Sequence, residues 1–291
     1  MNKTRVIARI DVKNEFAIKG IHLEGLRKVG SPNLMAIDYY KNGIDEIIFM
    51  DAVAAYYDRN SLSELIKIAC KDIFIPITVG GGIRTIDDIK NTLNSGADKV
   101  AINTQAVKDP NFIRKASKIF GSQCISIGVD AFYRDHFYEV WIDYGRERTN
   151  LNVIDWIKKI QDFGAGEIIL TSINNDGTGK GFDVRLIELV IDNIKTPLVF
   201  GGGCGEIKHV VSLIKNFPQL SGISISTALH YKYYQSILDL KYYSKYENRN
   251  INFDIGNIEF IKNNLVYPKI VEGFSVKDLK KDLKKFNIPI R

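Results

Sequence analysis

Along the chain, short runs of apolar and β-branched residues alternate with longer stretches whose apolar residues recur every three or four positions. The short runs are "RVIARIDV", "EIIFMDA", "IPITV", "KVAIN", "CISIGVDA", "EIILTSI", "TPLVF" and "GISIS". Near-continuous apolar runs of this length predict strands of a parallel sheet covered on both faces. Between them, "NLMAIDYYKNG", "SLSELIKIACKD", "TIDDIKNTLNSG", "NFIRKASKIFG", "NVIDWIKKIQDFG" and "VRLIELVIDNI" predict helices. Several of these open at an Asn, Ser or Asp cap and stop at glycine. Strands separated by helices leave two topologies, an open doubly wound sheet or a closed barrel.

An internal repeat decides between them. Glu46 in "GIDEIIFMD" and Glu167 in "GAGEIILTS" lie 121 residues apart, as do Gly80-Gly81-Gly82 and Gly201-Gly202-Gly203. Asp11 and Asp130 are 119 apart, and "VAINT" precedes its counterpart "ISIST" by 123. Four elements in one order at near-constant spacing predict two (βα)4 halves, about 1–120 and 121–291, closing into a single α/β (β/α)8 TIM barrel. After Tyr231 the regularity fails. The segment at about 234–272, dense in Tyr and Asn, reads as an insertion in the last helical layer that either packs locally as an added lid, the favoured reading, or offers its tyrosines as a partner or oligomer surface. "FSVKDLKKDLKKFN" then resumes as a basic amphipathic helix that closes the barrel.

Composition narrows the function classes. At 45% hydrophobic and 25% charged residues the chain is ordinarily globular, and its 40 basic against 34 acidic residues suit an anionic metabolite. No dense Arg/Lys stripe with interleaved aromatics is present, which argues against nucleic acid. Cys70, Cys124 and Cys204 stand far apart without CxxC spacing, against zinc and a disulfide framework and for a reducing compartment. No run approaches a membrane span, and the N-terminal "MNKTRVIARIDV" holds no apolar stretch long enough for a signal peptide. The expectation is a cytoplasmic protein without membrane association.

The candidate chemistry lies at strand ends. "ITVGGGIRT" and "LVFGGGCGE" each lead a strand into a glycine turn before a helix, where backbone N–H groups bind phosphate. Two such turns placed symmetrically predict two phosphates on opposite sides of the barrel mouth, and so a small bis-phosphorylated substrate. Asn103-Thr104 and Ser226-Thr227 end the following strands and would complete the two sites. The plainer reading makes these glycines tight turns only. Asp11 and Asp130 end the first strand of each half, face the mouth across from each other, and are candidates for general acid and base. Asp51 also stands at a strand end, and Asp176 and Gly177 lie in "NNDGTGKG", a loop suited to closing on substrate. His22, His136, His209 and His230 show no metal-ligand spacing, so no metal or other cofactor is expected. At the opposite end Arg5, Glu46, Lys99 and Glu167 begin four strands with alternating charge. They form either a salt-bridge belt or a ring gating an axial channel.

These segments carry a resemblance. "RVIARIDVKN", "IKG", "IDEIIFMD", "ITVGGGIRT", "GADKVAINTQAV", "FGSQ", "VDA", "GAGEIILTSINNDGTGKGFD" and "GGGCG" resemble the cyclase subunit of imidazole glycerol phosphate synthase along nearly the whole chain except the late insertion. The resemblance implies a barrel that docks a glutaminase subunit of the HisH type on its N-terminal face. Ammonia crosses the barrel and attacks phosphoribulosyl-formimino aminoimidazole carboxamide ribonucleotide, giving imidazole glycerol phosphate and the aminoimidazole carboxamide ribotide. It further implies Asp11 and Asp130 as the acid/base pair. Gly82, Asn103 and Thr104 would hold one phosphate; Gly202, Gly203, Ser226 and Thr227 the other. Lys19 would belong to a loop closing over substrate, and Arg5, Glu46, Lys99 and Glu167 would form the ammonia gate. The chain departs from the family at Gly201, where Ser is usual, at "IST", and in the insertion. These departures leave open a paralogue that works with a glutaminase and an amidotransferase in acetamidino modification of a surface-glycan sugar. Asp11, which such paralogues often lose, favours the cyclase. The sister isomerase barrel shares the repeat but does not need the charged gate. A scaffold that only activates the glutaminase would not need the intact aspartate pair.

Overall fold

The structure is a computed structural model that describes residues 3–54, 62–238, 271 and 273–290. The strands in chain order are β1 (Arg5–Lys13), β2 (Phe16–Ile21), β3 (Glu24–Gly30), β4 (Glu46–Asp51), β5 (Ile77–Gly80), β6 (Lys99–Ile102), β7 (Ile125–Arg134), β8 (Phe137–Ile142), β9 (Glu147–Asn152), β10 (Glu167–Ser172), β11 (Leu198–Gly201) and β12 (Gly222–Ile225). The helices are α1 (Pro32–Lys41), α2 (Ser63–Asp72), α3 (Ile86–Asn94), α4 (Thr104–Lys108), α5 (Asn111–Phe120), α6 (Val153–Asp162), α7 (Val184–Val190), α8 (Ile207–Asn216), α9 (Thr227–Leu238) and α10 (Val276–Lys285).

Eight strands close a parallel ring in the order β1, β4, β5, β6, β7, β10, β11, β12 and back to β1. Each is buried along nearly its whole length because helices cover the outside and side chains fill the inside. The main core lies between sheet and helices, with Val6, Phe49, Ile89, Ile113, Trp156 and Ile187 among its members. A second, smaller cluster of Ile7, Ile48, Ala101, Ile169 and Val199 fills the barrel interior. All eight strands expected from the hydrophobic runs are barrel strands.

Four strands stand outside that pattern. β2 and β3 fold back antiparallel from β1, and β8 and β9 do so from β7. The repeat extends through them, since Phe16 and Phe137 are 121 residues apart. So are the turn pairs His22-Leu23 and Asp143-Tyr144, all four with positive φ between 51° and 61°. Two consecutive left-handed residues make the hairpin turn that matches strand twist. Both excursions lie at the strand ends that bear Asp11 and Asp130, so they form walls of the mouth.

Helix α9 continues to Leu238, past the point where the sequence pattern breaks. The remainder of the expected insertion, 239–270 and 272, lies outside the described residues. The expected closing helix is α10, which buries Val276, Leu279 and Leu283 and ties Lys280 Nζ to Asp45 Oδ1 at 2.6 Å. Its Ser275 cap donates to Asp278 Oδ2 and accepts from the Asp278 N–H. Among the described residues no helix is long and apolar enough to cross a membrane.

Candidate active site

Residues two apart on a strand share a face. On β1 this puts Arg5, Ile7, Arg9 and Asp11 in one column up the barrel axis, each meeting partners from the other walls. At the floor Arg5 donates to Glu46 Oε2 and to Glu167 Oε1, both at 2.5 Å. Lys99 Nζ bridges the same two carboxylates at 2.7 and 2.9 Å, closing a four-membered ring. Thr78 and Ser126 hydroxyls complete the carboxylates' bonds. Burial pushes the Glu167 carboxyl up, but Lys99 and Arg5 outweigh it and hold it below its ordinary value. Above the ring lies the apolar layer that contains Ile7, and above that Arg9.

Asp11 and Asp130 stand at the C-terminal mouth, both buried. Asp11 Oδ1 accepts from Arg9 Nε at 2.9 Å, and its Oδ2 has Lys19 Nζ at 3.8 Å. Burial pushes Asp11 up, but the Arg9 and Lys19 charges outweigh it, so the carboxyl is held below its usual range. Asp130 Oδ2 accepts from Asn103 Nδ2 at 2.8 Å. Its burial, reinforced by the charges of Asp11 and Asp176 and only partly offset by Arg9, pushes it up to about 6. Two carboxyls at one mouth thus differ in proton affinity, which suits the weaker acid, Asp130, to carry and donate a proton while Asp11 stays ionised.

Lys19 is placed on strand β2 rather than in a loop, and it is buried. Its Nζ meets Asp176 Oδ2 at 2.6 Å. The segment holding Asp176 is packed in place: His22 N donates to Asp176 O, and a Cβ on Gly177 would stand 2.2 Å from Gly20 O. On the other side Gly181 N donates to Gly203 O at 2.8 Å. A Cβ on Gly203 would stand 2.0 Å from Gly181 O, at φ 100°. The loop therefore joins the first hairpin to the second glycine turn.

The helices that follow the glycine turns are capped from within the chain. Thr85 and Asp88 form a reciprocal capping box at α3, and Asp88 also takes the Arg84 N–H. At α8 His209 Nδ1 accepts from the Gly205 and Glu206 amides. Side-chain polar groups of the next strand ends are engaged as well. Asn103 holds Asp130, Thr104 Oγ1 accepts from Asp143 N at 3.0 Å, and Ser226 Oγ donates to Arg9 O at 2.6 Å. Gly82, Asn103 and Thr104 line one cavity with Asp130 and Arg84. Gly202, Gly203, Ser226 and Thr227 lie around the adjacent strand ends, β11 and β12, on the other side of β1. Asp51 is a local cap, its Oδ1 taking the Val53 and Ala54 amides at 2.9 Å.

Sequence reasoning passed over Arg9, Tyr144 and the Tyr39–His230 pair. Tyr144 sits in the β8–β9 turn with its buried hydroxyl beside Asp11. Tyr39 Oη and His230 Nδ1 are 2.9 Å apart behind Ser226, and burial together with Lys19 pushes the imidazole down to about 3, so it is neutral. Only Arg9 had a readable signal, a charge two residues before Asp11 in an apolar strand. Among the described residues no group of His, Cys, Asp or Glu is arranged to hold a metal ion.

A closed (β/α)8 barrel with buried carboxylates of unlike proton affinity at its C-terminal mouth has the construction of a barrel enzyme. The family model described as histidine biosynthesis protein matches residues 5–235, and the chain belongs to that family. It is similar to the imidazole glycerol phosphate synthase subunit HisF of Legionella pneumophila, at 49% identity over 72% of this chain and 99% of that protein. The subunit of the same name from Hydrogenobaculum sp. is 40% identical over 85% of this chain and 98% of its own length. That of Lactococcus lactis is 44% identical over 73% and 83%.

Proposed function

We propose that the chain is the cyclase subunit of imidazole glycerol phosphate synthase in histidine biosynthesis. It joins ammonia to phosphoribulosyl-formimino aminoimidazole carboxamide ribonucleotide and releases imidazole glycerol phosphate, the aminoimidazole carboxamide ribotide and water. The observation that carries the reading is the unlike carboxylate pair at the mouth of a barrel whose relatives bear that name. Forming carbon–nitrogen bonds from ammonia while expelling an amine needs one group to take a proton and one to give it. Asp11, held ionised, takes the proton; Asp130, whose hold on a proton is strengthened by burial, gives one.

In this reading backbone amides of Gly82, Asn103 and Thr104 hold one phosphate, and those of Gly202, Gly203, Ser226 and Thr227 the other. Lys19, Asp176 and Gly177 belong to the wall that shapes the substrate site. Arg5, Glu46, Lys99 and Glu167 gate ammonia delivered by a glutaminase subunit on the N-terminal face. No cofactor takes part.

Purified protein given the formimino ribonucleotide and excess ammonium at alkaline pH is expected to consume it, followed by loss of substrate absorbance. Absence of turnover from folded protein would overturn the proposal. The second phosphate turn has its own check. Gly203→Ala is expected to raise KM at least about tenfold, because the methyl collides with the Gly181 carbonyl and displaces the Asp176 loop. Gly25→Ala, where a Cβ at φ 60° meets nothing, should cost about 1–3 kcal/mol of stability and leave KM alone. Equal KM in the two variants would remove Gly203 from the site.

A further inference from the structure

We propose that Arg9 is a positioning residue, which clamps Asp11 through its Oδ1 and turns its Oδ2 toward the substrate. The inference rests on the cyclase reading for its kinetic consequence, and on geometry alone for its effect on Asp11.

Arg9 is an almost fully buried guanidinium in the middle of a barrel strand, placed between the apolar interior layer and the mouth. Its two ends are tied to different walls. Nε donates to Asp11 Oδ1 on its own strand, and Nη1 donates to Thr171 Oγ1 on β10, each at 2.9 Å. A planar fork held at both ends cannot rotate freely, so it fixes the carboxylate it touches. With Oδ1 anchored, Oδ2 is the oxygen left to act, and it is buried without a hydrogen bond.

The groups facing Asp11 come from six elements. Arg9 lies on β1, Lys19 on β2, Asp130 on β7, Tyr144 in the β8–β9 turn, Asp176 after β10 and His230 on α9. His230 and Tyr144 are uncharged near neutral pH, because burial lowers the imidazole and raises the phenol. Lys19 is drawn to Asp176, 2.6 Å away against 3.8 Å to Asp11. Arg9 is therefore the cation in hydrogen-bond contact with Asp11, and it makes no such contact with Asp130, which is bonded to Asn103 instead. One guanidinium makes two neighbouring carboxylates unlike.

The test uses Arg9→Gln, which keeps polarity without charge, and Arg9→Lys, which keeps charge without the fork. Carboxyl carbons are followed by NMR through a pH titration of the substrate-free protein, with Asp11→Asn to assign the Asp11 signal. In Arg9→Gln the Asp11 midpoint is expected to rise by about one unit or more. The acidic limb of kcat/KM for ammonia-dependent turnover should move up by the same amount, since the base is then protonated at higher pH. In Arg9→Lys the limb should stay near its native position while kcat falls at least about tenfold from misaimed Oδ2. A residue that only filled space would lower rates without moving the limb. Folded Arg9→Gln with an unmoved Asp11 midpoint would overturn the proposal; should that variant not fold, native kcat in Arg9→Lys would overturn it equally. An enzyme that titrates as expected but does not turn over the ribonucleotide would refute the cyclase reading and leave the role of Arg9 toward Asp11 standing.

Discussion

Asp130→Asn is expected to cut ammonia-dependent turnover by roughly 10²–10⁴-fold and, at alkaline pH, to raise the melting temperature. The two effects have one origin. Burial pushes the Asp130 carboxyl from 3.8 up to about 6, so the folded state holds its proton more tightly than the unfolded chain does. For an acid raised in the folded state, the native contribution is neutral to stability below the unfolded value. It becomes unfavourable as pH rises between the two values, and the penalty is complete above about 6. A gap of this size corresponds to about 3 kcal/mol. Asparagine is uncharged at every pH and can still accept the bond from Asn103, 2.8 Å away in the native protein. At roughly 2–4 °C per kcal/mol for a large domain, the gain should approach about 6–12 °C at alkaline pH and vanish near pH 4. Melting curves of both proteins across this range decide the matter. A pH-independent difference would mean that Asp130 is not a strained acid, and undiminished turnover would remove it from the chemistry.

The barrel was legible because its signal is redundant. Eight apolar runs and four repeated elements all require the same closed sheet, and a residue such as Ile48 or Ile169 can face only one of two apolar layers. The hairpins were not legible. β3 grades from exposed to buried and β9 mixes exposed and half-buried residues, neither with the strict alternation that announces a strand, and their turns use His22-Leu23 and Asp143-Tyr144 in left-handed conformations that glycine or asparagine would have announced. Missing them misplaced Lys19 in a loop and hid Tyr144 altogether. The carboxylates were found by position at strand ends, but their unlike proton affinity depends on burial and on Arg9, Lys19 and Asn103 converging from separate elements. Arg9 was the exception, since its spacing from Asp11 already put both on one face. The glycine turns were found too, although the capping of α3 and α8 by Asp88 and His209 is a three-dimensional fact.

Glu46→Gln is expected to cost about 3 kcal/mol of stability, a loss of roughly 6–12 °C in melting temperature. Glu46 is 1% exposed and accepts from Arg5, Lys99 and Thr78 at 2.5, 2.7 and 2.8 Å. Glutamine keeps the shape but removes the charge, leaving two cations sharing Glu167 alone. Removing one partner of a buried pair typically costs about 3–5 kcal/mol, and the low end applies because the Arg5 and Lys99 side chains are 16% and 15% exposed. The exposed pair Lys67–Glu64 supplies the contrast, and Glu64→Gln should leave the melting temperature unchanged. Adding Lys99→Met to Glu46→Gln removes the surplus cation, so the double variant should lose less than the two single losses combined. Strictly additive losses would mean independent pairs rather than one ring. As the proposed gate, the ring should also separate the two nitrogen sources. Ammonium can reach the mouth from solvent and should still drive turnover in Glu46→Gln, whereas glutamine-driven turnover with the glutaminase present should fall. Equal effects on both would place the ring in the stability of the floor and take it out of ammonia transfer.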